Sequence, residues 1–259
     1  MYHNIFDTHA HYDHHRFNYV RHAILSGMPG LGVSLILNCG SDEETSLFSA
    51  YLASEYSFVY SAAGIHPHNA AGVSPEWESS IKHLLSDSKT LAVGEIGLDY
   101  HYNFSDPSTQ RKVFAKSLEM ALSSALPVIV HDRDAHGDVL AMLREYRPKG
   151  VVHRFSGDPD MMEALLEIGL YLGFGCSVMY PDARNERETV TTIPIDRLLL
   201  ETDCPYILPP HSKEQLSRSD MIGLAAETIA ELRCSPSVQE IIDSAAENGR
   251  RLFGIGDNL

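Results

Sequence analysis

Two histidines separated by one residue, His9 and His11, open a set of polar side chains that could bind and activate: Glu95, His131, His153 and Asp203. Imidazole nitrogens and carboxylate oxygens are the donors that borderline divalent cations such as zinc accept. Each of these residues stands at or just beyond the C-terminal end of a short apolar run. In an α/β barrel that end is the catalytic face. Alternate residues of a strand share a face, so a His-x-His pair leaving a strand can direct both rings at one centre. A carboxylate on the fourth run can bridge two cations, while histidines on the fifth and sixth and an aspartate on the eighth complete two shells. Taken singly, each of these residues reads as a hydrogen-bonded structural group. Their conjunction at matching strand ends reads as a binuclear metal site.

The elements that must position them alternate. Short apolar runs occupy 5–7, 33–38, 58–64, 91–96, 127–130, 150–152, 170–174 and 197–200. Several are apolar throughout, as strands buried on both faces are. Helical spacing marks 110–126, with Val113, Phe114, Leu118, Ala121 and Leu122, and 138–146, with Val139, Leu140 and Leu143. Segments 159–168 and 219–232 behave alike, and 237–252 is the expected closing helix. Such alternation implies parallel strands with crossover helices. An open doubly wound sheet would alternate too, but no GxGxxG turn follows the first run and no GxxxxGK[ST] occurs. The expectation is a single α/β domain, a (β/α)₈ TIM barrel over residues 1–259, close to the roughly 250 residues typical of that fold.

Composition narrows the function classes. With 44% hydrophobic and 21% charged residues the chain reads as an ordinary globular protein. No segment approaches the ~18 uninterrupted apolar residues of a membrane span, and Met1-Tyr2-His3-Asn4 lacks a basic region followed by an apolar core. The reading is a cytoplasmic protein with no membrane association and no obligate protein partner. Cysteines at 39, 176, 204 and 234 form no CxxC pair, which argues against a thiolate zinc knuckle or a disulfide framework. A formal net charge of −15 opposes a broad electropositive surface for nucleic acid. That objection weakens where substrate phosphate meets bound cations, which concentrate positive charge at one spot whatever the net charge.

Longer motifs carry a resemblance. They are Phe6-Asp7-Thr8-His9-Ala10-His11, Gly64-Ile65-His66-Pro67-His68, Val93-Gly94-Glu95-Ile96-Gly97-Leu98-Asp99-Tyr100, Pro127-Val128-Ile129-Val130-His131-Asp132-Arg133, Val151-Val152-His153-Arg154-Phe155-Ser156-Gly157 and Leu199-Leu200-Glu201-Thr202-Asp203-Cys204-Pro205-Tyr206. Across nearly the whole chain the sequence resembles the TatD-type metal-dependent deoxyribonucleases, within the amidohydrolase-like barrels. The resemblance implies a (β/α)₈ fold in which His9, His11, Glu95 and Asp203 bind one cation and Glu95, His131 and His153 the other. It implies hydrolysis of DNA phosphodiesters, often from a 3′ end. Two departures stand out: Arg154 where the family usually has cysteine, and His211 to Arg218 where it commonly has a Gly-x-x-Asn-Glu-Pro stretch. The second bears on substrate specificity more than on the metals.

The expected cofactor is a pair of divalent ions, zinc first, with manganese, nickel or magnesium as alternatives. Such a pair sharing Glu95 supplies a nucleophile from water and an electrophile for a phosphoryl or carbonyl oxygen. Asp203 is the expected proton-handling residue and Glu95 the shared catalytic carboxylate. An ester, lactone or amide would suit the same site, so the substrate stays open on these residues. On the substrate side stand His66 and His68, as phosphate or leaving-group contacts or as loop histidines. Arg133 reads as a bidentate phosphate clamp or a partner of Asp99. Tyr206 completes this group. Arg154, next to His153, reads either as a second phosphate clamp or, since a strand-end neighbour of His153 should point away from it, as half of a surface ion pair. His14, His15 and His22 read as surface or loop residues, and Cys204 as a small buried side chain. Tyr100, Tyr102 and Phe104 either stack on a base or pack within their loop.

Overall fold

The computed structural model describes residues 1–234 and 237–256. Eight strands, β1 (Ile5–Ala10), β2 (Val33–Cys39), β3 (Val59–Ala63), β4 (Thr90–Asp99), β5 (Val128–Arg133), β6 (Gly150–Val152), β7 (Tyr171–Phe174) and β8 (Leu198–Leu200), pair in chain order, each parallel to the next. Helices α1 (Arg21–Gly27), α2 (Glu43–Glu55), α3 (Trp77–Leu84), α4 (Pro107–Ser124), α5 (His136–Tyr146), α6 (Pro159–Glu167) and α7 (Arg184–Thr192) cross between them, and α8 (Ile222–Leu232) and α9 (Val238–Phe253) follow β8. This is the (β/α)₈ barrel that the alternating runs implied.

The ring closes at its C-terminal rim. Asp203 donates its backbone N–H to the His9 carbonyl at 2.9 Å, and His11 donates to the Cys204 carbonyl at 2.8 Å. A buried carboxylate ties the same seam: Asp7 Oδ2 accepts from the Thr202 hydroxyl at 2.6 Å and the Ser219 hydroxyl at 2.7 Å. Burial pushes the Asp7 carboxyl up to about 7 against these hydrogen bonds. The first and last strands thus meet at the residues expected to carry the chemistry.

Two apolar layers hold the ring. Inside it, Phe6, Leu35, Leu37, Ala62, Ala92, Ile129, Val151 and Leu199 pack with Ala246 and Phe253 of α9, and Phe6 and Phe253 meet edge to face at 6.1 Å. Asn248 on α9 donates to the carbonyls of Ile195 and Leu198, which pins this helix beneath the start of β8. A second layer, including Ile36, Val130, Leu172, Phe114, Leu143 and Ile229, lies between strands and helices. No helix among the described residues is long and apolar enough to cross a membrane.

Three strands run three residues past their apolar stretches, and β2 runs one past its own, to Cys39. β1 continues through His9 to Ala10, β4 to Asp99 and β5 to Arg133, past the expected ends at 7, 96 and 130. The ladder persists because these polar residues pair across it, Gly97 with His131 and Asp99 with Arg133. Gly97 is required there: its φ is +143°, and a Cβ would collide with the His131 carbonyl. Gly97→Ala is expected to lower stability by at least about 1–3 kcal/mol. Urea denaturation measures it, and an unchanged midpoint would show that β4 relaxes freely at this point.

Candidate metal centre

The cluster forms around Glu95, on the inner face of β4 and 3% exposed. Its two carboxylate oxygens face different neighbours. Oε2 lies 3.4 Å from His9 Nε2 and 3.3 Å from His11 Nε2. Oε1 lies 2.7 Å from His153 Nε2, 3.0 Å from His131 Nδ1 and 3.5 Å from His66 Nε2. Asp203 Oδ1 joins the first set, 3.4 Å from His11 Nε2 and 3.7 Å from His9 Nε2. Three overlapping groups could hold an ion: His9, Glu95 and His153; His9, His11 and Asp203; His66, Glu95 and His131. All six residues expected as ligands converge here, and His66 stands among them rather than out on its loop.

The chemistry of the donors fits divalent cations. His11 Nδ1 lies 2.8 Å from the Cys39 carbonyl, which only accepts, so that nitrogen carries the proton. A neutral His11 then aims the lone pair of Nε2 at His9 Nε2, 3.0 Å away, and at two carboxylate oxygens. Lone pairs facing lone pairs are reconciled by positive charge between them, a proton or a metal. His131 repeats the arrangement: Nε2 faces Asp99 Oδ2 at 3.2 Å while Nδ1 faces Glu95 and, at 3.2 Å, His153 Nε2.

Protonation follows the same logic. Burial opposes the charged form of His11, yet Asp203 and Glu95 against Nε2 raise its pKa well above the ordinary value. Burial likewise opposes His131 and His153, but Asp99 and Glu95 raise the first, and Glu95 and Glu201 lift the second to about 10. His9 and His66 go the other way, lowered chiefly by burial and by neighbouring imidazoles. Glu95 is held well below the usual carboxylate range: desolvation works against this, and His153, His66 and His9 overcome it. Asp203 is also lowered, with His11 and Arg154 outweighing its burial.

Around these donors sit residues that orient them. Asp99 Oδ2 receives both His131 Nε2 and, at 2.8 Å, His68 Nε2, while its Oδ1 accepts the backbone N–H groups of His101 and Tyr102. Glu201 Oε1 lies 3.5 Å from His153 Nδ1 and accepts the Arg154 N–H at 2.7 Å. Neither was singled out from the sequence, although each lies in a quoted motif, one at the end of β4 and one just beyond β8. Asp99→Asn keeps the shape but removes the charge behind His131. It is expected to weaken metal binding or activity by about 10–100-fold. Metal titration checks this; wild-type affinity together with wild-type turnover would remove Asp99 from the site.

The centre opens into a cleft of 1350 Å³ at the C-terminal mouth of the barrel. His68, Arg133 and Tyr206 line it, as do Tyr102 and Phe104. Arg133 makes no ion pair among the described residues; its guanidinium lies over the Tyr102 ring, 4.8 Å from the centroid. Two expectations are corrected, for Arg154 and Tyr100. Arg154 turns inward, and its Nη1 binds Asp203 Oδ2 at 3.0 Å. Strand alternation does not govern it, because β6 ends at Val152 and Arg154 has a φ of +43°. His14 and His15 are the loop and surface residues expected, half-buried and exposed, and they also line the cleft, where the His14 ring meets Tyr206 edge-on at 5.5 Å. Tyr100 leaves the aromatic group, its hydroxyl donating to Asp138 at 2.6 Å. Cys204 is fully buried, in keeping with a packing role.

A parallel eight-stranded barrel with this His and carboxylate cluster at its C-terminal mouth defines a metal-dependent barrel hydrolase. The chain belongs to the TatD related DNase family, whose profile matches residues 6–254. It is 34% identical over 254 residues to the metal-dependent hydrolase YabD of Bacillus subtilis, covering 97% of this chain and 99% of that protein. It is 35% identical over 235 residues to the 3′-5′ ssDNA/RNA exonuclease TatD of Klebsiella pneumoniae, covering 88% and 89%. Among solved structures, the TatD homologue YJJV of Escherichia coli K12 superposes with a TM-score of 0.91 at 29% identity, covering 98% of this chain and 99% of that one.

Proposed function

We propose that this protein removes nucleotides from the 3′ ends of single-stranded DNA or RNA by hydrolysing the terminal phosphodiester. The observation that carries the reading is the division of Glu95, one oxygen toward His9 and His11 and the other toward His131 and His153. A carboxylate so placed would serve two divalent cations, one that His9, His11, Glu95 and Asp203 would hold and another that Glu95, His131 and His153 would hold, with zinc, manganese, nickel or magnesium as the candidates. When bound, the pair supplies Lewis-acid polarisation of the phosphoryl oxygen and activation of water near neutral pH. The chain's own residues do the rest. Asp203, kept ionised by His11 and Arg154, takes the proton of the attacking water, while Arg154 on Oδ2 fixes the carboxylate. His68 and Arg133 flank the mouth where a phosphate enters, and Tyr206 bounds it on the β8 side. The relatives' 3′-5′ exonuclease activity on single strands supports the polarity and the substrate.

The test is hydrolysis of 3′- and 5′-labelled single-stranded and duplex DNA and RNA by metal-stripped protein, restored in turn with Mg²⁺, Mn²⁺ and Zn²⁺. Metal-restored loss of the 3′ label from single strands is the expected result. Stoichiometric metal without cleavage would overturn the nuclease reading and direct attention to carbonyl esters and amides.

A further inference from the structure

The loop after β4 exposes two aromatic rings beside the metal centre. Phe104 is 68% and Tyr102 48% exposed, the rings lie nearly parallel at 8° with centroids 5.4 Å apart, and both line the cleft. Exposed phenyl rings on a loop are unremarkable when the loop is slack, and this one is pinned. Asp99, fully buried, accepts the N–H groups of His101 and Tyr102 at 3.0 and 2.9 Å. Gln110, fully buried on α4, accepts the Asp99 N–H and donates to the carbonyls of Asp99 and Ser105. Ser105 in turn donates to the His68 carbonyl and accepts the Ala71 N–H. The backbone that carries the rings is therefore held in place before any ligand arrives, so little ordering entropy of the loop opposes a contact with them.

From this geometry we infer that Tyr102 and Phe104 form a stacking platform for a nucleobase of the substrate, next to the nucleotide being released. The inference rests on the nuclease reading above and specifies how the strand is gripped. Three features favour a base over another apolar occupant. The Arg133 guanidinium lies against Tyr102, where it adds a cation to the aromatic surface and stands within reach of the adjoining phosphate. His68 meets both rings edge-on, at 5.5 Å for Tyr102 and 4.8 Å for Phe104. Through Asp99 that same histidine is joined to His131 of the metal cluster, so platform and reacting centre share one carboxylate. Finally, a chain of net charge −15 gains little from diffuse attraction to phosphate, and stacking grips a single strand without it. A paired base keeps its faces stacked within the duplex, so the platform selects single strands.

The experiment compares the metal-loaded wild type with Phe104→Ala, Phe104→Leu and Tyr102→Leu. The probes are short oligonucleotides whose 3′-terminal linkages are phosphorothioates, either fully base-bearing or carrying an abasic residue next to the 3′ end. Stacking contributes about 1–3 kcal/mol per base, so wild type is expected to prefer the base-bearing strand by roughly 5–150-fold. Phe104→Ala, Phe104→Leu and Tyr102→Leu should bring that ratio close to one. Equal weakening on both strands in the leucine variants, which keep apolar bulk, would overturn the platform and leave the rings as loop packing. An undiminished ratio would overturn it as well. Wild-type protein that binds neither strand would instead defeat the nuclease reading itself, a separate outcome.

Discussion

Glu95→Ala is expected to abolish metal-restored hydrolysis and to drop bound metal from two ions per chain to one or fewer. Its two oxygens divide between the donor sets: Glu95 Oε2 faces His9 and His11, and Oε1 faces His131, His153 and His66. Its removal leaves five imidazoles around a space, with Asp203 against His9 and His11 only. Losing a bridging charge worth several kcal/mol to the transition state corresponds to a fall in kcat/KM of about 10³-fold or more. Elemental analysis and turnover on 3′-labelled single-stranded DNA read the two effects separately. Full metal content with full turnover would show that the histidines hold the ions unaided, and the bridging assignment would fall. Glu95→Gln sharpens the test, since it keeps the shape and removes the charge. Retention of activity there would point to hydrogen bonding rather than charge as the requirement.

The ligand set was legible in the sequence because a parallel barrel makes position along a strand nearly equivalent to position in space. A polar residue that ends a buried apolar run must emerge at the C-terminal mouth, so His9, Glu95, His131, His153 and Asp203 could be brought together without coordinates. What stayed hidden depends on contacts between different strands. Asp99 reads as an ordinary strand-end aspartate until it is seen behind both His68 and His131. Glu201 reads as a flank of Asp203 until its oxygen is found next to His153. Arg154 was misjudged because alternation was applied beyond the end of β6, where a left-handed residue turns the chain. Helix α2 carries faint apolar periodicity, and α7 offers Val190 as its one apolar side chain. The start of α2 is set instead by a capping box between Asp42 and Thr45.

The placement of the buried carboxylates explains how an acidic chain can act on a polyanion. Of the 35 acidic side chains, Glu95, Asp99, Glu201 and Asp203 are buried around the centre, where imidazoles and Arg154 face them. They are therefore committed to holding positive charge at the bottom of the cleft. The surface of the barrel need not be basic when the substrate phosphate is met at that one point and the base is met by aromatic rings.

Asp203→Asn separates holding the metal from moving the proton. In the native arrangement Oδ1 faces His9 and His11 while Oδ2 receives Arg154 Nη1 at 3.0 Å, so each oxygen has its own task. An asparagine keeps one oxygen, and the His9 and His11 side still offers two nitrogens and Glu95, so metal content should persist. The amide cannot accept the proton of the attacking water, and general-base assistance is worth about 10²–10⁴-fold in rate. Arg154 also loses its charged partner where it is only one-third exposed, which adds a cost to the folded state. The expected signature is two metal ions, a KM within a few-fold of wild type and kcat reduced by that factor of roughly 10²–10⁴. Wild-type turnover would remove Asp203 from proton transfer and leave Glu95 as the carboxylate to examine next. Loss of one ion would show instead that the charge of Asp203 is needed to hold it, which makes its role structural before it is chemical.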